Sequence, residues 1–227
     1  MHSAGAYDYL KRVFDYDWEQ SGGPYEAHFP LILNDYVPPA DHVLISELVF
    51  NPPGANDLGE WVEIVNPTDS AVDIGGWYLG DAVRRKDYER LYAFPAGTTI
   101  PAQGILVVAR RATAYQALGY ASKPTPDFEW NNSSSGVPDM IRSSWGENKF
   151  ALGNAGDELL LLDARKQVVD VVVYGSGEYP GVDSFGDVSG VYSGNSLERW
   201  PANRDSNDCR RDFHIRYEPE PGVVVVW

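Results

Sequence analysis

The fold class this chain predicts is all-β, a Greek-key sandwich, and three observations predict it. Val43–Leu79 reads VLISELVFNPPGANDLGEWVEIVNPTDSAVDIGGWYL, two β-rich runs broken by Pro, Gly and Asn turns. Short strand-like runs with turn signals between them then recur toward the C-terminus. Ala112–Tyr120, with Tyr115 and Leu118 at helical spacing, is the one helix candidate inside the domain. Strand spacing by itself leaves a closed barrel open as the other arrangement.

The elements follow in order. Residues 1–40 read as an N-terminal extension or linker. Leu10, Val13 and Phe14 predict a short amphipathic helix or turn ahead of Ser21-Gly22-Gly23-Pro24, and Pro38 and Pro39 favour an extended segment. The domain spans 41–222. VLISELVF alternates Leu44, Ser46 and Leu48 with Val43, Ile45, Glu47 and Val49, and WVEIV puts Val62 and Ile64 on one face. Trp77 and Leu79 share a face, so Val62, Ile64, Trp77 and Leu79 are the predicted core. GILVVARR is almost continuously apolar, the mark of a strand covered on both sides.

Residues 121–148 form a long polar and aromatic insertion, read as a loop. KFALGNAGDELLLLDARKQVVDVVVYG predicts a three-stranded meander and SLERWP a short strand, before a tail at 223–227. One domain is the simplest organisation.

Charge narrows the function. With 33 acidic against 18 basic residues the net charge is -15. A phosphate-neutralising face is therefore not expected, which argues against nucleic acids and anionic membranes as partners. A single cysteine, Cys209, excludes an intramolecular disulfide framework. No apolar run reaches the roughly 20 residues of a membrane span, and MHSAGAYDYLKR lacks the apolar segment of a signal peptide.

LISELVFNPPG, GEWVEIVNPTDSAVDIGGWYL, YAFPAGTTIPAQGILVVA, FALGNAGDELLLLDARKQVVDVVVYG, NSLERWP and EPEPG occur in this order from Leu44 to Gly222. The ordered set resembles the lamin tail domain, a module of nuclear lamins that also occurs in bacterial extracytoplasmic proteins. The resemblance implies an immunoglobulin-like Greek-key sandwich with no shared catalytic motif, used for protein interaction. For the bacterial branch it implies an extracellular or cell-surface location. The chain departs from the family in residues 1–40 and 121–148, which is where partner specificity is expected.

Each candidate site has a plainer reading beside the functional one. Tyr115, Tyr120, Phe128, Trp130 and Trp145 suit a partner-binding surface or, equally, a core internal to the loop. Glu47, Glu60 and Glu63 offer paired carboxylates for acid–base or metal chemistry, but alternation reads them as an exposed strand face plus a turn charge. Asp205, Asn207, Asp208 and Asp212 make an oxygen-rich turn, with calcium a minor possibility beside an Asx turn balanced by Arg210 and Arg211. Cys209 beside those arginines suggests a lowered thiol pKa without an identified base. His2, His28, His42 and His214 show no zinc spacing.

The expectation is thus a noncatalytic extracytoplasmic module that binds a protein partner or cell-surface component through loops, with no cofactor. The alternatives are a cation-dependent hydrolase or nuclease, or a carbohydrate-binding module.

Overall fold

Two sheets packed face to face carry the core. The structure, a computed structural model, describes residues 37–225 apart from 55–56, 86–87, 121–122 and 135. The helix predicted around Leu10, Val13 and Phe14 lies outside the described residues. The six-stranded sheet contains β1 (Leu44–Val49), β2 (Trp61–Val65), β7 (Ile105–Ala109), β8 (Phe128–Glu129), β12 (Ser196–Arg199) and β13 (Phe213–Arg216), in the order β13-β12-β1-β2-β7-β8. The five-stranded sheet contains β4 (Tyr78–Gly80), β5 (Arg90–Ala93), β9 (Ile141–Gly146), β10 (Gly156–Leu162) and β11 (Val168–Gly175), in the order β11-β10-β4-β5-β9. A small ribbon pairs β3 (Val72–Asp73) with β6 (Thr99–Ile100), and two short helices, α1 (Ala112–Gln116) and α2 (Cys209–Asp212), complete the unit.

Between the sheets, Ile45, Leu48, Val62, Ile64 and Val108 meet Leu79, Leu91, Leu159, Leu161 and Val172, all fully buried. Three of the four predicted core residues are therefore enclosed. Trp77 is only partly buried, packed against the rim of that core, so its truncation will cost less than that of an enclosed tryptophan.

Strict alternation fails in β1. Ile45 pairs with Ile64 and Glu47 with Glu63, which leaves Ser46 as an extra residue in a β-bulge. The bulge lets Ile45 and Leu48 both face the inter-sheet core despite their odd spacing, while Leu44 and Val49 pack into separate clusters. One of these clusters joins Val49, Trp61, Val107 and Ala109 to Tyr115 and Leu118. The continuous apolar run of β7 is thus explained by cover on both faces.

The 121–148 segment is not a single loop. Its first part supplies β8, parallel to β7, and its second supplies β9, an edge strand on β5. The polar sequence of Ile141–Gly146 suits an edge with one exposed face, which is why it resembled a loop. At its end Gly146 has φ 87°, and a Cβ there would meet the Glu89 carbonyl oxygen at 2.0 Å, so only glycine fits. The predicted meander is a two-stranded hairpin, β10–β11, preceded by an irregular segment whose Phe150 and Leu152 are buried.

Candidate interaction surface and the polar clusters behind it

Arg199, at the end of β12, is 2% exposed and fixes the connection that follows it. Its Nη2 donates to both oxygens of Asp170 at 3.0 and 2.8 Å, its Nε to the Ile45 carbonyl at 2.9 Å, and its Nη1 to the Arg204 carbonyl at 2.7 Å. Asp170 accepts the Ile45 and Val171 backbone N–H groups as well, at 2.7 and 2.8 Å. Burial raises the Asp170 pKa and the Arg199 charge opposes that rise.

The oxygen-rich turn belongs to the same network. Asp212 accepts both the backbone N–H and the hydroxyl of Ser206 at 2.7 Å and lies 3.1 Å from Arg204. Asp205 faces the imidazole of His42 at 3.4 Å, and that contact holds its carboxyl below the usual range. Asp208 caps α2 by accepting from the Arg210 backbone N–H at 3.0 Å, and Asn207 takes φ 56°. Arg199, Arg204 and His42 thus supply counter-charge to Asp205 and Asp212. Cys209 is buried and accepts from the Val173 N–H, and burial pushes its thiol up to about 12, opposite to the expected direction.

Beside this hydrogen-bonded connection lies a groove of about 490 Å³ lined by Glu198, Trp200, Arg211, Phe213, His214 and Arg216. Its floor strand, β13, is the edge of the six-stranded sheet. Strand alternation turns Phe213 and Ile215 inward and His214 and Arg216 outward. Trp200 is 40% exposed, with its ring edge-on to His214 at 5.8 Å. Glu198 is buried and pairs with Arg216 at 2.7 Å and His214 at 3.1 Å. Tyr192 and Tyr217 are both about 70% exposed, and Asn195, three residues after Tyr192, donates to the Tyr217 carbonyl, so both lie near the far end of β12 and β13. The sequence marked this place only through Trp200 at the end of SLERWP, a segment read purely as a strand.

The loop aromatics are mostly structural. Tyr115 is fully buried against Trp61, and Trp130 is 4% exposed, with its ring 4.5 Å from Phe150 in the main core. These two are out of a partner's reach. Tyr120 and Phe128 are half-buried beside Trp61 and Phe94, and half-buried Trp145 has the Lys166 ammonium 5.6 Å from its ring. The serines near them serve Glu129, whose carboxylate accepts from the Ala112, Ser133 and Ser134 backbone N–H groups at 2.7–2.8 Å and from the Ser133 hydroxyl. Burial opposes ionisation of Glu129, but these donors outweigh it and lower its pKa.

Glu47, Glu60 and Glu63 are buried, not exposed. Glu47 and Glu63 lie on the outer face of β1 and β2, accepting from Ser196 and Ser46, and the Gly222 N–H donates to Glu63 at 2.6 Å, so the chain beyond β13 covers that face. Burial pushes Glu47 up to about 8 and Glu63 up to about 7. Alternation indicated the face correctly, but not that another segment lies over it.

A second polar cluster holds the irregular segment before β10. Three consecutive backbone N–H groups each meet a different carboxylate: Ala151 meets Asp81 at 3.2 Å, Leu152 meets Glu60 at 3.1 Å, and Gly153 meets Asp157 at 2.7 Å. Burial pushes Asp81 and Glu60 up to about 8 and Asp157 up to about 6. Arg110, 2.8 Å from Glu60, is the cation that pairs with one of the three.

Fold and site together define an immunoglobulin-like β-sandwich with a surface groove at one sheet edge. The chain belongs to the lamin tail domain family, whose profile matches residues 37–176. Among solved structures, a DUF4876-family protein from Bacteroides thetaiotaomicron is similar in fold, with a TM-score of 0.60 and 15% identity, over 83% of this chain and 72% of that one. A search of curated proteins finds no match. No helix among the described residues is long and apolar enough to cross a membrane.

Proposed function

We propose that this chain is a noncatalytic interaction module that grips an extended segment of a protein partner in the groove along β13. The observation that carries this reading is the half-exposed Trp200 beside β13, the edge strand of its sheet among the described residues, flanked by Arg211, His214 and Arg216 in a chain of net charge -15. An edge strand supplies main-chain donors and acceptors to an added strand, and an aromatic anchor in a groove supplies most of the side-chain affinity. Arg211 and Arg216 bring two guanidinium groups to a lining that also holds the Glu198 carboxylate, and an acidic side chain on the partner segment would compete with Glu198 for them.

An extracytoplasmic, cell-surface setting is part of the proposal, on the strength of the resemblance to bacterial family members. The burial of Glu47, Glu60 and Glu63 supports the noncatalytic reading, since a substrate has no path to them.

The test begins by recovering the partner from the cell-surface or secreted fraction with the wild-type chain and measuring affinity with the purified pair. Trp200→Ala and His214→Ala should each weaken binding by about tenfold or more, as expected of an aromatic anchor and its neighbour. Trp145→Ala, on the other sheet, should leave affinity unchanged. Loss of binding in Trp145→Ala with none in Trp200→Ala would move the surface back to the 121–148 segment. Binding to a glycan array in place of any protein would replace the partner class.

A further inference from the structure

We propose that residues 217–225 form a strap over the outer face of the six-stranded sheet, held closed while a row of three buried glutamates beneath it keeps a proton and released as the row ionises. Register sets the row. Glu198 on β12 pairs with Glu47 on β1, and Glu47 pairs with Glu63 on β2, so three carboxyl groups stand side by side and none is more than 5% exposed. Side chains in direct register have Cβ atoms about 4.5–5.5 Å apart, where like charges oppose each other.

The bulge at Ser46 builds this face. It brings Leu44, Glu47 and Val49 to one side of β1, opposite Val65, Glu63 and Trp61 in turn. Tyr115 and Leu118 close the Val49–Trp61 side with apolar surface, while Ala202 and Val224 of the strap close the Leu44–Val65 side. The strap also rests on the row itself. The Gly222 N–H donates to Glu63 at 2.6 Å, the Val225 carbonyl accepts the Ala202 N–H at 2.7 Å, and Pro219 and Pro221 are buried. At the strap's root, Arg216 donates to the Glu218 carbonyl at 3.0 Å and to the Glu220 carboxylate.

Positive charge reaches one end of the row. Among the described residues its cationic partners are Arg216 at 2.7 Å and, when protonated, His214 at 3.1 Å, and both meet Glu198. Glu63 receives the Ser46 hydroxyl besides the Gly222 N–H, and Glu47 receives the Ser196 hydroxyl. The other titratable groups around the row add no cation: Tyr115 and Tyr120 pack on Trp61, Asp127 accepts the N–H of Val107 opposite Glu63, and the strap brings Glu218 and Glu220. Glu47, between two carboxyl groups, is therefore the one that keeps its proton, and burial followed by its two glutamate neighbours raises its pKa accordingly.

A lifted strap lets water reach Glu47 and returns its pKa toward the ordinary carboxylate value. The closed state thus holds the extra proton and is favoured at lower pH, and each pH unit between that value and about 8 favours opening by up to tenfold. Opening also parts Glu220 from Arg216, which lines the groove at β13, so strap and groove share a residue.

The test is amide hydrogen exchange of the full chain at about pH 6 and about pH 8, corrected for intrinsic rates. Protection of the Gly222 and Ala202 N–H groups should fall at least tenfold across that range, and by more than that of the β2–β7 ladder. An infrared band of a protonated carboxyl should disappear over the same range. Glu47→Gln should remove that band and flatten the fall in protection, whereas Glu220→Gln should loosen the strap at both pH values and keep the fall. Unchanged protection at Gly222 and Ala202 in the wild type overturns the proposal, as does a loss no greater than that of the ladder. A fall that persists in Glu47→Gln and vanishes in Glu220→Gln would place the switch on the strap's own charge and overturn it equally.

Discussion

The two ends of the β10–β11 hairpin solve one problem in opposite ways. Near the turn, Asp170 receives the Ile45 and Val171 N–H groups and is matched by Arg199. At the other end, Asp81, Glu60 and Asp157 receive the Ala151, Leu152 and Gly153 N–H groups, and among the described residues an arginine, Arg110, offsets the burial of Glu60 but not that of Asp81 or Asp157. Both ends use carboxylates to satisfy backbone donors that no strand pairs. One balances its charge and the other does not. The balanced end stiffens the connection that carries Trp200 and Arg211, as an interaction surface requires. The acidic end is left responsive to protons.

The largest expected effect breaks the balanced end. Arg199→Ala strands Asp170 as an uncompensated buried charge and should cost about 3–5 kcal/mol in urea unfolding. The double variant Arg199→Met, Asp170→Leu removes both charges and should recover much of that loss. A double variant no more stable than the single one would show that packing, not charge pairing, holds this end.

A smaller effect separates the two ends by pH. Asp81, Glu60 and Asp157, like Glu47 and Glu63 on the outer face, have folded pKa values raised above their unfolded ones, chiefly by burial. The folded state then binds more protons than the unfolded state between about pH 4 and pH 8, so stability is greatest below that window and falls as pH rises through it. Unfolding at about pH 5.5 and pH 8 should show at least about 1 kcal/mol lost at the higher pH, roughly 2–4 °C in Tm for a chain of this size. Asp81→Asn should lower stability at pH 5.5 and flatten the slope. Asp205, whose pKa the His42 contact lowers, has the opposite sign, and its contribution disappears only as pH drops below the usual carboxylate range.

The smallest effect concerns the cap that starts α2. Asp208→Ala removes the acceptor for the Arg210 N–H and should cost about 1 kcal/mol. A markedly larger loss would mean that α2 is coupled to the Arg199 network more tightly than its hydrogen bonds imply.

Much of the fold was legible in the residues. Val62, Ile64 and Leu79 announce the core by period, GILVVARR announces a strand covered twice, and Asn66 in NPTD anchors its turn by donating to the Ser70 and Pro101 carbonyls. The bulge at Ser46 was not legible, because a single extra residue leaves no trace in an apolar pattern. Nor was β9, whose outward face reads like a loop. The candidate surface was harder still. The aromatics between Tyr115 and Trp145 stood out by composition, yet Tyr115 and Trp130 fill cores, while Trp200 and His214 lie far apart in sequence and meet through the β12–β13 pairing. Likewise Asp157 and Glu60 look like surface charges until the N–H groups they receive are seen.

Amide hydrogen exchange measured at about pH 5.5 and pH 8, corrected for intrinsic rates, tests the contrast between the two ends most directly. Protection of Ala151, Leu152 and Gly153 should fall at the higher pH while that of Ile45 and Val171 holds. Equal loss at both ends, or none at Ala151–Gly153, would contradict the account.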